Sequence, residues 1–237
     1  PRAWYMARYF NKNTFSFDGE NAELKPEDDD LPWCLCPEIK ITPEDVKYIL
    51  SSHFQGTPYD CYGKYGYDKN RGKYRPIGIS RNNFLSLVQI RLDVPKEYAA
   101  IEWISFGSNT FNTFVPFYAN VDKTPEYLAN TTHRVTTESF YWVNRIIAAL
   151  ADAKYSECKM HIERYQGKVP TRGYTLMKEL EEKLEKKMPK KAALIKLLED
   201  CNEEIARMVQ EETDAVLDKV LFEVSCKMKN GFGRSDA

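Results

Sequence analysis

The stretch SSHFQGTPYDCYG, residues 51–63, brings a histidine, an aspartate and a cysteine close together in the chain. Cys61 with His53 could act as a thiol nucleophile and its base. Their separation spans a helix end and a turn, and the sequence shows no third group that would orient the base. The same composition is typical of a tight loop, so a catalytic centre and a scaffold turn both remain open.

Two further cysteines, Cys34 and Cys36 in WCLCPE, have the spacing of half a zinc site. A second pair of ligands is missing at any usual spacing, and His53 stands alone. The alternative is a turn that carries two small apolar thiols. The sequence therefore predicts no metal site, and nothing in it indicates a cofactor.

The remaining polar candidates have a structural interpretation and a functional one. His133 and His161 lie at the edge of, or within, a helical pattern, which favours packing or surface roles. Several charged residues stand beside aromatic or apolar runs, where structural ion pairs are the default and a site role is the alternative. These residues are Asp60, Arg75, Arg81, Arg91 and Arg145.

Composition excludes two classes of partner. The 237 residues include 34 basic and 35 acidic side chains, so the surplus positive charge that nucleic-acid binding needs is missing. No apolar run approaches the roughly 18 residues of a membrane span. Six cysteines spread through a long chain suit reduced thiols better than a disulfide framework, which indicates an intracellular, cytoplasmic protein.

The first part of the chain, residues 1–134, is predicted to be β-rich with one short helix. The aromatic opening, residues 3–10, indicates a strand already inside a sheet, so we expect the C-terminal part of a longer polypeptide. An acidic, turn-rich loop follows, and then Thr42 and Pro43 start a helix that ends near His53. Two or three strands are expected among the segments YRPIGIS, FLSLVQIR and AAIEWISFGS, and TFVPFYANV is expected to be a further extended segment.

The second part, residues 135–237, is predicted to be helical. A first helix begins behind Thr136 and Thr137 and reaches Tyr165, and a second covers MKELEEKLEKK. Pro189 separates this from a third helix, which would be about 60 Å long if unbroken to Lys229. Its apolar stripe from Leu194 to Val224 supports an alternative function, a helical interaction or homo-oligomerisation module.

Several segments together carry a family resemblance. In chain order they are PRAWYMARYF, DLPW, TPEDVKYILSSHFQGTPYDCYG, YRPIGISRNNFLSLVQIR, AAIEWISFGSNTFNTFVPFYANV and FYWVNRIIAALAD. They resemble the second half of the dipeptidase A family of cysteine peptidases, which is related to the secernins and to bile-salt hydrolase. The match extends to about Gln166. The family's version of the Tyr-Asp turn has proline where this chain has Cys61, which argues against Cys61 as the nucleophile.

The resemblance implies an α+β chain that forms part of the αββα sheet of an N-terminal-nucleophile (Ntn) hydrolase, followed by the helical region. It also implies cleavage of dipeptides or short peptides by an N-terminal cysteine absent from this chain. An arginine near that nucleophile would best match Arg81, with Arg75 next. The turn at residues 51–63 would form a wall of the substrate cleft, with His53, Thr57 and Asp60 as candidate substrate-binding residues.

Overall fold

Helices and a small antiparallel sheet together form the computed structural model, which describes residues 1–63 and 69–231. The mixture is the predicted α+β class. The chain divides into two compact units, Pro1–Ile79 and Ser80–Ala237. The division into domains at residue 134 stays a prediction about domain organisation.

The first unit opens with a helix, α1 (Arg2–Phe10), so the predicted opening strand is wrong. Trp4 and Tyr5 are neighbours and both are buried. Adjacent side chains of a strand point to opposite faces, whereas on a helix both can face one core. Trp4 also donates from Nε1 to the carbonyl of Leu24 at 3.0 Å, which ties the following loop to this helix.

Helix α2 (Pro43–Leu50) begins where the sequence predicts. Thr42 Oγ1 accepts from the Asp45 amide at 3.2 Å, and the Asp45 carboxylate accepts from the Thr42 amide at 2.8 Å. This reciprocal pair is a capping box, which satisfies two amide groups at the helix start. The core of the unit is aromatic and aliphatic, and its buried members are Trp4, Tyr5, Phe17, Ile49, Phe54 and Ile77.

The second unit contains a three-stranded antiparallel sheet in the order β1 (Phe84–Ile90), β2 (Ala100–Phe106) and β3 (Val115–Tyr118). The prediction of two or three strands followed by a further extended segment is therefore confirmed, with β1 and β2 as the strands and β3 in the extended segment. Residues 74–80, which include Pro76 and Gly78, form no strand. Gly78 instead donates its amide to the Ser52 carbonyl at 2.8 Å, so this segment bonds to the loop after α2.

Four helices complete this unit: α3 (Glu126–Ala129), α4 (Phe140–Ala153), α5 (Tyr155–Lys186) and α6 (Lys191–Ser225). The predicted first helix was expected to reach Tyr165, and this extent is wrong because the chain breaks at Lys154 between α4 and α5. Its N-cap is Ser139, not the predicted threonine pair. The predicted second helix starts much earlier, at Tyr155, and runs through Pro170. The third is confirmed as a helix of about 52 Å.

Helix α6 packs along α5 and α4 and reaches β3. Its apolar stripe is largely buried within the chain, at Leu194, Leu198, Ile205, Val209, Val216 and Val220. Across the described ranges, 1–63 and 69–231, no helix is both long and apolar enough to cross a membrane.

Candidate functional site

Successive turns fold the segment after α2 into a compact loop. The carbonyl of Phe54 accepts from both the amide and the hydroxyl of Thr57, at 3.1 and 2.8 Å. The Asp60 amide donates to the Thr57 carbonyl at 3.3 Å. Phe54 has a φ of 65° and Gly56 one of 76°, so the reversal depends on two residues in the left-handed region. The predicted turn is confirmed in this part of the segment.

His53 and Asp60 form a buried pair inside this turn. Nδ1 of His53 lies 2.7 Å from Oδ1 of Asp60, and the two residues are 7% and 9% exposed. The same carboxylate oxygen accepts from the Tyr62 amide at 2.9 Å, and the Tyr62 ring packs edge-on against the imidazole. Asp60 therefore orients the histidine, and the expectation that no third group does so is wrong.

Cys61 follows Asp60 directly and is half-buried. One donor atom from each of His53, Asp60 and Cys61 lies within 4.8 Å of the others. The sequence predicted one loop for the three residues but did not predict their contact. That contact requires the turns at Thr57 and Asp60, which reverse the chain and bring Asp60 and Cys61 back to His53. The aspartate two residues before Tyr62, typical of an Asx turn, was the signal that sequence reasoning missed.

The residues predicted to bind substrate are thus brought together by the turn. His53 and Asp60 bond to each other, and Thr57, only 3% exposed, uses its hydroxyl within the turn. Oγ1 of Thr57 also accepts from the Tyr59 amide at 3.2 Å. Their contact with substrate stays a prediction.

The two candidate arginines lie in different units, Arg75 in the first and Arg81 in the second. Arg75 is exposed, its carbonyl accepts from Arg2 Nε at 3.4 Å, and it lines an open cavity of about 560 Å³ beside Lys73 and Tyr74. Arg81 is exposed as well, and its guanidinium has no hydrogen bond or ion pair to the residues that the structure describes. The described residues therefore give no support to the prediction that Arg81 forms a structural ion pair.

The other arginines have structural partners. Arg91 lies 2.7 Å from the Glu181 carboxylate, which also accepts from the Tyr118 hydroxyl at 2.8 Å. This ion pair, together with its hydrogen bond, raises the pKa of Arg91 despite the opposing effect of burial. Arg145 donates to the Ser80 carbonyl and to Asn83 Oδ1, both at 3.0 Å. The predicted structural ion pair is confirmed for Arg91.

The remaining histidines and cysteines give no second site. His133 is exposed, and His161 approaches Glu223 at 3.5 Å between two helices, as predicted for surface and packing histidines. Cys34 and Cys36 are exposed. Over the described residues, neither belongs to a group of side chains able to hold a metal ion.

Lys47 is a buried charge that sequence reasoning missed. It lies on α2, is 8% exposed, and donates from Nζ to the Ser51 hydroxyl at 2.7 Å. Burial lowers its pKa to about 7. Its position between Val46 and Tyr48, two residues before the buried Ile49, was the available signal.

The sequence matches the family described as peptidase family C69 over residues 1–168. The chain belongs to this peptidase family. It is 42% identical to a dipeptidase of Bifidobacterium longum, with all of this chain and 51% of that protein covered. It is 40% identical to a probable dipeptidase A of Streptococcus pyogenes serotype M18, again over the whole chain and 47% of that protein.

A further C69 relative, dipeptidase A of Lactobacillus helveticus, is 43% identical over 65% of this chain and 31% of its own length. The chain thus spans about half the length of the first two relatives. The predicted resemblance to a portion of a dipeptidase is confirmed.

Proposed function

We propose that this chain is the C-terminal portion of a cytoplasmic cysteine-type dipeptidase. The observation that carries the proposal is the 42% identity to a dipeptidase across the whole chain, within a peptidase family that matches residues 1–168. A net charge of −1 is compatible with a small peptide as substrate, and the chain lacks the surplus positive charge that nucleic-acid binding needs. The substrate class is a dipeptide or short peptide.

In the proposed mechanism, the nucleophile lies in the part of the protein outside this chain. An N-terminal cysteine thiol attacks the peptide carbonyl carbon, and its own α-amine takes up the thiol proton. The resulting oxyanion is held by backbone and side-chain donors, and the amine returns its proton to the leaving group. Water then hydrolyses the thioester. This chain contributes the sheet, the cleft wall at residues 51–63 and, in our proposal, Arg81 or Arg75.

An open sheet face supports the proposed αββα arrangement. Phe84, Val88 and Ile90 alternate along β1 and are 56%, 62% and 69% exposed. They pair across the strands with Phe106, Glu102 and Ala100 of β2, so both strands contribute to this face. We call it the open face. Its opposite side, which includes Ile101 and Trp103, is buried.

Three large apolar side chains exposed along one strand normally mark a surface that another layer covers. Because the Bifidobacterium longum and Streptococcus pyogenes relatives, which match this whole chain, are about twice as long, we propose that the rest of the complete protein supplies that layer. A second sheet against the open face would produce the two central layers of an Ntn hydrolase.

The proposed helical interaction module has less support. Most of the α6 stripe on which it rested is buried against the chain's own helices. Leu197, Leu221 and Phe222 of α6 are 38%, 50% and 66% exposed. Homo-oligomerisation through such residues stays a prediction.

The decisive test uses the full-length protein. Hydrolysis of dipeptides is expected, and replacing the N-terminal nucleophilic cysteine by alanine should abolish it, whereas Cys61→Ser should retain it. The 237-residue chain alone should hydrolyse dipeptides no faster than buffer. Turnover by this chain alone that disappears with Cys61→Ser would place the nucleophile in the turn and overturn the proposal.

A further inference from the structure

The turn after α2 gathers three different metal-ligand types. His53, Asp60 and Cys61 each offer one donor atom within 4.8 Å of the other two. We call these three residues the turn cluster. An imidazole nitrogen, a carboxylate oxygen and a thiolate sulfur are the ligands that Zn²⁺ accepts in proteins. We propose that the turn cluster binds a thiophilic divalent cation of the zinc class.

The cluster is built into the loop. Asp60 is held by the Tyr62 amide at 2.9 Å and by His53 at 2.7 Å. A side chain at Gly63 would place its Cβ only 2.8 Å from the Asp60 Cβ, so the chain passes that carboxylate at a distance that glycine alone allows. The His53 and Asp60 side chains are only 9% and 12% exposed, and their contact with each other holds two donors in place before any ion binds.

The spacing of the donors suits a tetrahedral ion after a small adjustment. Zinc bonds of about 2.0–2.3 Å require donor separations of roughly 3.3–3.7 Å. His53 Nδ1 lies 2.7 Å from Asp60 Oδ1, and one donor atom from each of the three residues lies within 4.8 Å of the other two. Side-chain shifts of about an ångström would therefore satisfy the geometry. Zinc binds a thiolate and a neutral imidazole, so the Cys61 thiol would lose its proton on binding, and His53 would carry its ring proton on the nitrogen that does not bind the ion.

The ligand types also select the ion. Ca²⁺ and Mg²⁺ prefer sites made of oxygen ligands, whereas a sulfur and a nitrogen favour zinc and similar cations. Three protein ligands leave the fourth tetrahedral position for water or another ligand. Cys61, the half-buried member, provides the route of entry. At this cluster, the proposal replaces the sequence prediction of no metal site.

The test measures metal binding to the full-length protein, with Zn²⁺ for affinity and Co²⁺ as the spectroscopic probe. We expect Co²⁺ to give a sulfur-to-cobalt charge-transfer band that Zn²⁺ displaces. Cys61→Ser should abolish that band and weaken binding at least about tenfold, the lower end of the loss caused by removing even a supporting group. Cys36→Ser is the matched control, an exposed thiol in the same unit, and should change neither.

Thermal melting gives a second measurement that does not depend on the charge-transfer band. Zn²⁺ should raise the Tm of the wild-type protein and of Cys36→Ser, and should leave the Tm of Cys61→Ser unchanged. A band and affinity that persist in Cys61→Ser, or the absence of binding to the wild type, would overturn the proposal. None of these readouts uses peptide hydrolysis, so the dipeptidase proposal can fail while this one stands, or the reverse.

Discussion

At the scale of single residues, Lys47 departs far from ordinary behaviour, because burial lowers its pKa to about 7. The unfolded chain keeps the lysine proton up to a pKa near 10.5. Between these two values the unfolded state binds more protons than the folded state. The contribution of Lys47 to the free energy of unfolding therefore rises as the pH increases from about 7 to about 10.5.

The first prediction is that Lys47→Met removes this rise. As the pH increases from about 7 to about 10.5, the unfolding free energy of the wild type should rise by up to roughly 4 kcal/mol relative to that of the variant. Urea unfolding at several pH values measures it. Lys40→Met, an exposed lysine before the same helix, is the control and should follow the wild-type pH profile. Parallel profiles for wild type and Lys47→Met would show that Lys47 stays charged when folded.

Arg81 belongs to the same scale. It has no partner among the residues described, so Arg81→Lys has no structural contact to remove. If its planar guanidinium holds developing charge in the complete enzyme, kcat/KM should fall by about 100-fold with little change in Tm. Arg75→Lys is the matched comparison, and its kcat/KM should stay near the wild-type value. A loss in Arg75→Lys alone would transfer the role to Arg75, and two active variants would exclude both arginines.

At the scale of elements, a close contact fixes helix α5 against strand β3. A Cβ at Gly173 would lie 2.8 Å from the Cγ of Pro116, an atom of a rigid ring in the strand. At Gly167, two turns earlier in the same helix, a Cβ would meet nothing within 4 Å. Substitutions at Gly167 therefore report on helix propensity alone, whereas substitutions at Gly173 also report on the packing of α5 against β3.

We predict opposite effects of the same substitution at the two sites. Gly167→Ala should stabilise the protein by about 0.5–1 kcal/mol, because alanine costs less backbone entropy in a helix. Gly173→Ala should destabilise it by about 1–3 kcal/mol, because the helix must move away from Pro116. Chemical denaturation measures both. Stabilisation by both substitutions would mean that α5 does not pack closely on β3.

At the scale of the whole molecule, the open face predicts how this chain meets the rest of its protein. Val88→Lys should destabilise the full-length protein by at least about 2 kcal/mol, because the proposed second layer would bury the charge. In the 237-residue chain alone the change in stability should be nearly zero, since Glu102 stands opposite on β2.

Val135→Lys, at a similarly exposed valine outside the sheet, is the control and should have little effect in the full-length protein or in the 237-residue chain. Equal, small effects of both variants in the full-length protein would mean that nothing covers the open face.

The sequence by itself determined the features that depend on local chemistry. Thr42, Pro43 and Asp45 define the start of α2, since capping involves only neighbouring residues. β-Branched and aromatic residues between turn signals predicted β1 in FLSLVQIR and β2 in AAIEWISFGS. The family segments in chain order predicted the peptidase family. The absence of surplus charge likewise required no structure.

Tertiary structure alone decided the features that depend on contacts distant in the chain. The opening aromatic residues form α1 because a core that includes Ile49 and Ile77 accepts both Trp4 and Tyr5, which no local rule specifies. Likewise, Asp60 reaches His53 only after the turn at Thr57 reverses the chain. The order of residues records which groups are near in sequence, whereas burial and ligand geometry depend on which groups the folded chain brings together.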